Sequence, residues 1–409
     1  MTNNDKFSSD FFAGNRRKLK QLVKEDAPII ISANGLIQRT RGDDAYPFEQ
    51  ESNFWYLSGI DEPDVVLVIE ASREYLILPA RHARHRIFSQ QLNLSELSDI
   101  SGIKNIYDNQ TGWQKLAKTL KTSKSIATLK PLERYLDVFD VYTNPAGRTL
   151  MLKIKTINPG LKLVDLRGRL AGLRAVKTST EIEAIKTAIK FSGEILAGAA
   201  KNIGRYENER DIEYEINNFL LKAGLKPAFD PIVAAGKNAA VLHYHSNSQP
   251  IGSSDFVLVD FGVKFNNYCS DITRTMAKNP GARQKDIYRA VEEVQSFATG
   301  FLKPGVTFKD YESAVNKFMG KKLREIGLIK TTGIKEIKRY YPHNTSHSLG
   351  IDVHDPMDYS VPIKAGYVLT VEPGIYTAEE NIGVRIEDNV LITETGCEIL
   401  SSRLAGNLV

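Results

Sequence analysis

The chain has 409 residues, 42% apolar and 25% charged, with 54 basic against 49 acidic side chains for a formal net charge of +5. That length exceeds one ordinary core and predicts two domains, and so mild a positive excess gives no ground for a nucleic-acid partner. Met1–Asp10 is polar, no run approaches 18 apolar residues, and the two cysteines, Cys269 and Cys397, make no disulfide framework; the expectation is a cytoplasmic protein with reduced thiols and no membrane partner.

Taken in order, Phe11–Gln21 is predicted as an amphipathic helix, and PIIISA (28–33), VVLVIE (65–70) and EYLILPA (74–80) as short buried strands. Lys115–Leu120 and the stretch around Gly147–Lys155 are predicted helical, with strands at SIATLK (125–130) and KLVDL (162–166). Alternating strands and helices make residues 1–173 an α/β domain. Thr178 and Glu181 have capping-box spacing and are followed by Ile182, Ile185, Ile189 and Leu196 at helical intervals, so a second domain, 174–409, opens with a long helix. A second helix is expected over about Asn208–Ala223. Two strand-like runs, DFVLVDFGV and NNYCSDITRTM, come next, joined by a turn. Helices return at about Gln284–Phe301 and Phe308–Ile326, and Gly366–Leu400 is again strands and turns.

Five residues stand in short phrases within this second part: Asp260 in VLVDFG, Asp271 in SDITRT, His347 in HNTSHSLGIDVHD, Glu372 in TVEPGIY and Glu387 in VRIEDN. A lone acid at a strand end is ordinarily a turn or cap residue. Four carboxylates and an imidazole together are what two adjacent divalent cations need, and hard oxygen ligands suit Mn²⁺. Three histidines, His343, His347 and His354, fall within twelve residues, a concentration that favours metal or acid–base work over incidental surface positions. In VRIED an alternating strand is expected, with Arg385 and Glu387 on one face, so that Arg385 holds a metal-bound carboxylate as a supporting partner.

The order and wording of these phrases resemble the pita-bread metallopeptidases, aminopeptidase P (Xaa-Pro aminopeptidase) most closely. The resemblance spans nearly the whole chain. YPFEQESNFWYLSGIDEPDVVLVI (46–69) and ARHARHRIFSQQ (80–91) look like the N-terminal domain of aminopeptidases P and some prolidases. The resemblance implies an α/β creatinase/prolidase-like N-terminal domain followed by an α+β pita-bread catalytic domain. It implies a site in which Asp260 chelates one metal, Asp271 and Glu387 bridge both, and His347 and Glu372 complete the second. It makes Glu372 the acid–base group, places His243 (in LHYH) and His354 at the substrate and its oxyanion, His343 at the proline, and Tyr376 and Arg385 in support. The implied partners are peptides with a penultimate proline and further copies of the chain, as a dimer or tetramer. Three departures bear on specificity: Asn344 stands where the family commonly has Gly, Phe88 where many relatives have Trp, and the loop from Tyr376 to Arg385 is short. Prolidase, which cleaves Xaa-Pro dipeptides, is the alternative, and a pita-bread module that has lost its metal is a remote one.

Overall fold

The structure, a computed structural model, describes residues 7–23, 27–40, 42, 44–81 and 93–402. It divides into two compact units, Met1–Leu173 and Arg174–Val409.

In the first unit a mixed sheet runs β4-β3-β2-β1-β5-β8, built from β1 (Ile29–Ser32), β2 (Val66–Ile69), β3 (Glu74–Ile77), β4 (Ile106–Tyr107), β5 (Ser125–Thr128) and β8 (Lys162–Asp165). β6 (Tyr135–Leu136) and β7 (Val141–Tyr142) form a separate hairpin. One sheet face, with Ile30, Val68, Tyr75 and Ile126, packs on Leu116 and Leu120 of the helix Asn109–Thr122 and on Leu150 and Ile154 of the helix Ala146–Ile157. The central strands β1 and β2 are short and apolar on both faces, as strands covered on both sides must be. The N-terminal helix, Ser9–Leu22, is tied down by Arg16, whose Nε and Nη2 donate to both carboxylate oxygens of Glu74 at 2.9 and 2.7 Å. Four short helices escaped the periodicity reading: Ser52–Ser58, Leu94–Ser101, Arg167–Ala175 and Ile334–Tyr340. Seven to nine residues give too few turns for a 3.6-residue stripe to show.

The second unit opens as expected. Thr178 accepts from the Glu181 N–H while the Glu181 carboxylate accepts from the Thr178 N–H, and the helix Ser179–Asn202 follows. Its strands are β9 (Lys226–Pro227), β10 (Ile232–Ala235), β11 (Phe256–Phe261), β12 (Val263–Phe265), β13 (Tyr268–Cys269), β14 (Ile272–Ala277), β15 (Val368–Val371), β16 (Gly374–Thr377), β17 (Ile382–Arg385), β18 (Asp388–Ile392) and β19 (Cys397–Ile399). They pair as β10-β11-β14, β13-β12-β9, β15-β18-β19 and β16-β17. The helices Ala282–Phe301 and Phe308–Glu325 bury Val291, Val294, Val315, Met319 and Leu323 in one core with Leu369, Val384 and Val390. Among the described residues no helix is long and apolar enough to cross a membrane.

One element differs from expectation. VRIED is not a single alternating strand: β17 ends at Arg385 and β18 begins at Asp388. At the break the Glu387 N–H turns to the Thr273 carbonyl at 3.0 Å, and Arg385, Glu387 and Asp388 are all buried. No solvated face exists there for an acid to occupy.

Candidate active site

β11 and β14 run antiparallel with Asp260 opposite Thr273, and Asp271 is the residue that leads into β14. The chain returns between them through a two-residue turn, Asn266–Asn267, both at left-handed φ of 48° and 64°, which asparagine tolerates. A Cβ at Gly262 would lie 2.0 Å from the Ser270 carbonyl oxygen, so only glycine allows the two arms to close here. Asn389 clamps the next turn: its Nδ2 donates to the Asp271 carbonyl at 2.6 Å and its Oδ1 accepts from the Asp271 N–H at 3.2 Å. Glu387 is held beside it by the Thr273 hydroxyl, which donates to Oε2 at 2.6 Å.

His347 and Glu372 come from neighbouring turns. The Thr370 hydroxyl oxygen accepts from the His347 N–H at 3.1 Å while the Thr370 N–H donates to the His347 carbonyl at 2.9 Å, and the Glu372 N–H donates to the Thr345 carbonyl at 2.9 Å. The His347 Nδ1–H donates to the Ser348 carbonyl at 3.1 Å, which leaves Nε2 facing Asp271 Oδ2 and Glu372 Oε1, each at 3.4 Å. Ligand atoms of Asp271, His347 and Glu387 lie within 4.8 Å of one another.

Asp260 joins from the other side through Arg385. The guanidinium donates Nη2 to Asp260 Oδ2 at 2.5 Å, Nε to the Thr273 hydroxyl at 3.0 Å and Nη1 to the Tyr376 hydroxyl at 2.9 Å. Sequence reasoning gave Arg385 a supporting role but inferred its partner from an unbroken strand; its carboxylate is that of Asp260.

The electrostatics of this group are unbalanced. Four carboxylates, Asp260, Asp271 and Glu387 buried and Glu372 partly so, face one guanidinium and one imidazole. Burial, with Asp271 nearby, pushes Asp260 up to about 6 despite Arg385. Burial likewise carries Glu372 up to about 7 against the pull of His347, and Glu387 is raised well above the usual range by burial and the other three acids. Burial disfavours the His347 cation, but Asp271 and Glu372 outweigh it and push the imidazole up to about 9. Asp260 Oδ1 is buried and has no hydrogen-bond partner. A buried, unsatisfied carboxylate oxygen among crowded acids is costly unless cations meet it, so this donor set fits divalent metal ions.

His343 and Tyr376 continue the Arg385 network. Arg385 donates to the Tyr376 oxygen, so the phenol hydrogen is free for His343 Nε2, 2.9 Å away, and His343 Nδ1–H donates to the Asn344 carbonyl at 2.7 Å. Both imidazole nitrogens are thus used within the protein, and burial depresses the ring to about 3, so it is neutral. His354 lies against His347, ring centroids 4.2 Å apart, and burial and that neighbour lower its pKa too. The residue after it, Asp355, accepts from Arg174 Nη2 at 2.5 Å and Lys177 Nζ at 3.2 Å, which fixes the turn that carries His354. His243 is exposed, on an irregular stretch after β10.

The four acids and the imidazole singled out first, with His243, His343, His354 and Arg385 but not Tyr376, line one cleft of about 970 Å³, with Phe229, Leu242, Phe308 and Val353 as apolar wall. Of the residues singled out from sequence, only Phe88 lies outside the described residues. Thr273, Thr370 and Asn389 were not anticipated; all three sit inside the recognised phrases, but a threonine or an asparagine there carries no separate signal.

Two family descriptions match the chain: metallopeptidase family M24 over residues 183–394 and the aminopeptidase P N-terminal domain over residues 12–127. The Xaa-Pro aminopeptidase of Haemophilus influenzae is 31% identical, covering 94% of this chain and 92% of its own length. That of Escherichia coli K12 is 28% identical, covering 96% and 94%. Among solved structures, E. coli aminopeptidase P with the inhibitor Pro-Leu gives a TM-score of 0.85 at 27% identity over 98% of this chain and 97% of that one. The zinc-substituted E. coli enzyme in complex with product gives 0.83 at the same identity and coverage.

Proposed function

The chain belongs to metallopeptidase family M24, and we propose that it is a metal-dependent Xaa-Pro aminopeptidase, releasing the first residue of peptides whose second residue is proline. The observation that carries this is the convergence of His347 Nε2 on Asp271 and Glu372, beside Glu387, in a chain that resembles Xaa-Pro aminopeptidases along nearly its whole length. Asp260, Asp271, His347, Glu372 and Glu387 would hold two divalent ions, and oxygen-rich ligation favours Mn²⁺. Such ions acidify a water to near-neutral pKa and polarise the carbonyl it attacks.

The chain's own residues do the rest. A proline at the second position makes a tertiary amide with no N–H. His343, neutral and with both nitrogens engaged, offers such a ring an uncharged imidazole that makes no demand for a hydrogen bond. The free amine of the first residue is held by the acidic end of the cleft. His243 donates to the carbonyl oxygen as it gains charge. Glu372 takes the proton from the attacking water and delivers it to the proline nitrogen, with His354 assisting, because an unprotonated amide nitrogen is a poor leaving group.

The test is cleavage of Ala-Pro-Ala, N-acetyl-Ala-Pro-Ala and Gly-Pro by manganese-loaded protein. Cleavage of the first alone supports the reading. Equal cleavage of the acetylated peptide sinks an aminopeptidase, and a preference for Gly-Pro makes the chain a prolidase. His243→Ala should lower kcat by about 10²–10³.

A further inference from the structure

His243 is exposed, so packing does not place it; it lies on a stretch with no regular structure between the turn Gly236–Ala240 and Ser248. That stretch is organised by a residue outside the cleft, Glu209, in the first turn of the helix Glu209–Ala223. The Glu209 side chain is fully buried, at 0% exposure, and accepts four hydrogen bonds. Oε1 takes the Ala235 N–H at 2.8 Å and Asn238 Nδ2 at 2.9 Å. Oε2 takes the Tyr244 hydroxyl and the Gln249 N–H, both at 2.9 Å. The Glu209 N–H returns a bond to the Gln249 carbonyl at 3.0 Å.

One carboxylate therefore ties both ends of the stretch, at 235 and 249, and its middle through the residue next to His243. From the other side the stretch is backed by β17, where a Cβ at Gly383 would lie 2.0 Å from the Ala239 oxygen. A helix cap needs one or two of a carboxylate's bonds. Four donors converging from a single irregular segment do more than end a helix: charge-assisted bonds of this kind hold a loop in one conformation.

We propose that Glu209 is a positioning residue for the reaction, acting through Tyr244 and the 235–249 stretch to set the distance from His243 to the reacting carbonyl. This rests on the reading of His243 as the donor to that oxygen. Glutamine at 209 has the same shape but turns an NH₂ toward two donors, so the stretch cannot keep all its bonds.

The experiment measures kcat, KM and bound metal on Ala-Pro-Ala for Glu209→Gln, Tyr244→Phe and His243→Ala, and for the first two repeated in the His243→Ala background. Glu209→Gln should lower kcat about 10–100-fold, as misplacing a catalytic group does, with KM and metal content near those of the parent. Tyr244→Phe, which removes one bond of the four, should cost about fivefold and stands in if Glu209→Gln does not fold. With His243 already alanine, both losses should shrink to less than about twofold. Losses that persist in full without His243, or come with lost metal, overturn the proposal, as does Glu209→Gln and Tyr244→Phe keeping parental kcat. If His243→Ala alone keeps parental kcat, it is the assignment of His243 that fails.

Discussion

Asp355 and Glu387 are both carboxylates sunk in the second unit, 3% and 2% exposed, yet burial leaves them in opposite states. Burial raises the Asp355 pKa, but Arg174 and Lys177 overcome it and hold the group below the usual carboxylate range. With Asp352, which also takes an Arg174 N–H, that cluster sets two cations against two acids. Around Glu387 four acids share one arginine and one histidine, and the carboxyls rise. The first cluster is complete as folded and serves to hold a turn. The second carries an excess of acids that must be balanced by bound protons or by added metal cations. Charge left unbalanced inside a stable domain marks the functional cluster of the two.

The largest effect that would test this contrast is on turnover. Chelation should abolish activity and Mn²⁺ restore it. Asp271→Asn or Glu387→Gln, which remove ligands proposed to serve both ions, should each lose several kcal/mol of transition-state stabilisation, on the order of 10³-fold in rate. Asp355→Asn should leave metal content intact. Full activity in chelated protein would put the two clusters on the same footing.

Next in size is stability, measured by denaturant unfolding of metal-free protein. Asp355→Ala strands Lys177 and leaves Arg174 with Asp352 alone, and should cost about 3–5 kcal/mol. Glu387→Gln relieves repulsion among the acids, keeps an acceptor for the Thr273 hydroxyl, and should stabilise. The same sign for both variants would erase the distinction.

The smallest effect is on pH dependence. Glu372 at about 7 and Asp260 at about 6 lie above their ordinary values of 4.5 and 3.8, so the folded metal-free chain takes up protons that the unfolded chain does not. Stability should therefore rise as pH falls from about 7 toward 5. His347, raised to about 9, adds stability that is fully present below its ordinary 6.5 and fades as pH rises through 9. His343 and His354, both lowered, lose stability below 6.5 and oppose the trend, but are outnumbered by the acids. Asp355 contributes only at the acid extreme, where its depressed carboxyl is finally protonated. Mn²⁺ competes with the same protons, so its stabilising increment should shrink over the window in which the metal-free protein gains. Melting curves at pH 5 to 8 with and without Mn²⁺ read both slopes; a metal-free midpoint that drops as pH is lowered across this window contradicts the excess-acid account.

The cluster was legible because its four acids sit in phrases beside strand ends, where a side chain is aimed by backbone pairing, and its histidine in a phrase crowded with histidines. Asp260 and Asp271 read correctly as two arms of one hairpin, and Thr178 as a helix start, because both depend on local spacing. What did not read was contact between distant segments. Arg385 reaches Asp260 across 125 positions, and the break after it exists because the Glu387 N–H pairs with Thr273, which nothing in VRIED announces. The helix Ser52–Ser58 is too short to show a period, and its cap, Glu51 accepting from the Phe54 N–H, lies in a phrase read only for its family likeness. Glu209 follows an asparagine cap and looks from sequence like any first-turn acid.

The hairpin that seats Asp260 also has a consequence in time. Its two arms are made within a dozen residues of each other, but the backbone that joins Glu387 to Thr273 is synthesised last: Glu387 lies 127 residues after Asp260. At about 5–20 residues per second, translation takes roughly 6–25 s to cross that interval. Through all of it the nascent chain holds Asp260 and Asp271 without the other three residues proposed as ligands beside them. A cation caught then would meet two of the five proposed ligands and leave readily. On that reading metal selection waits until β18 pairs with β15 and Glu387 comes in beside Thr273.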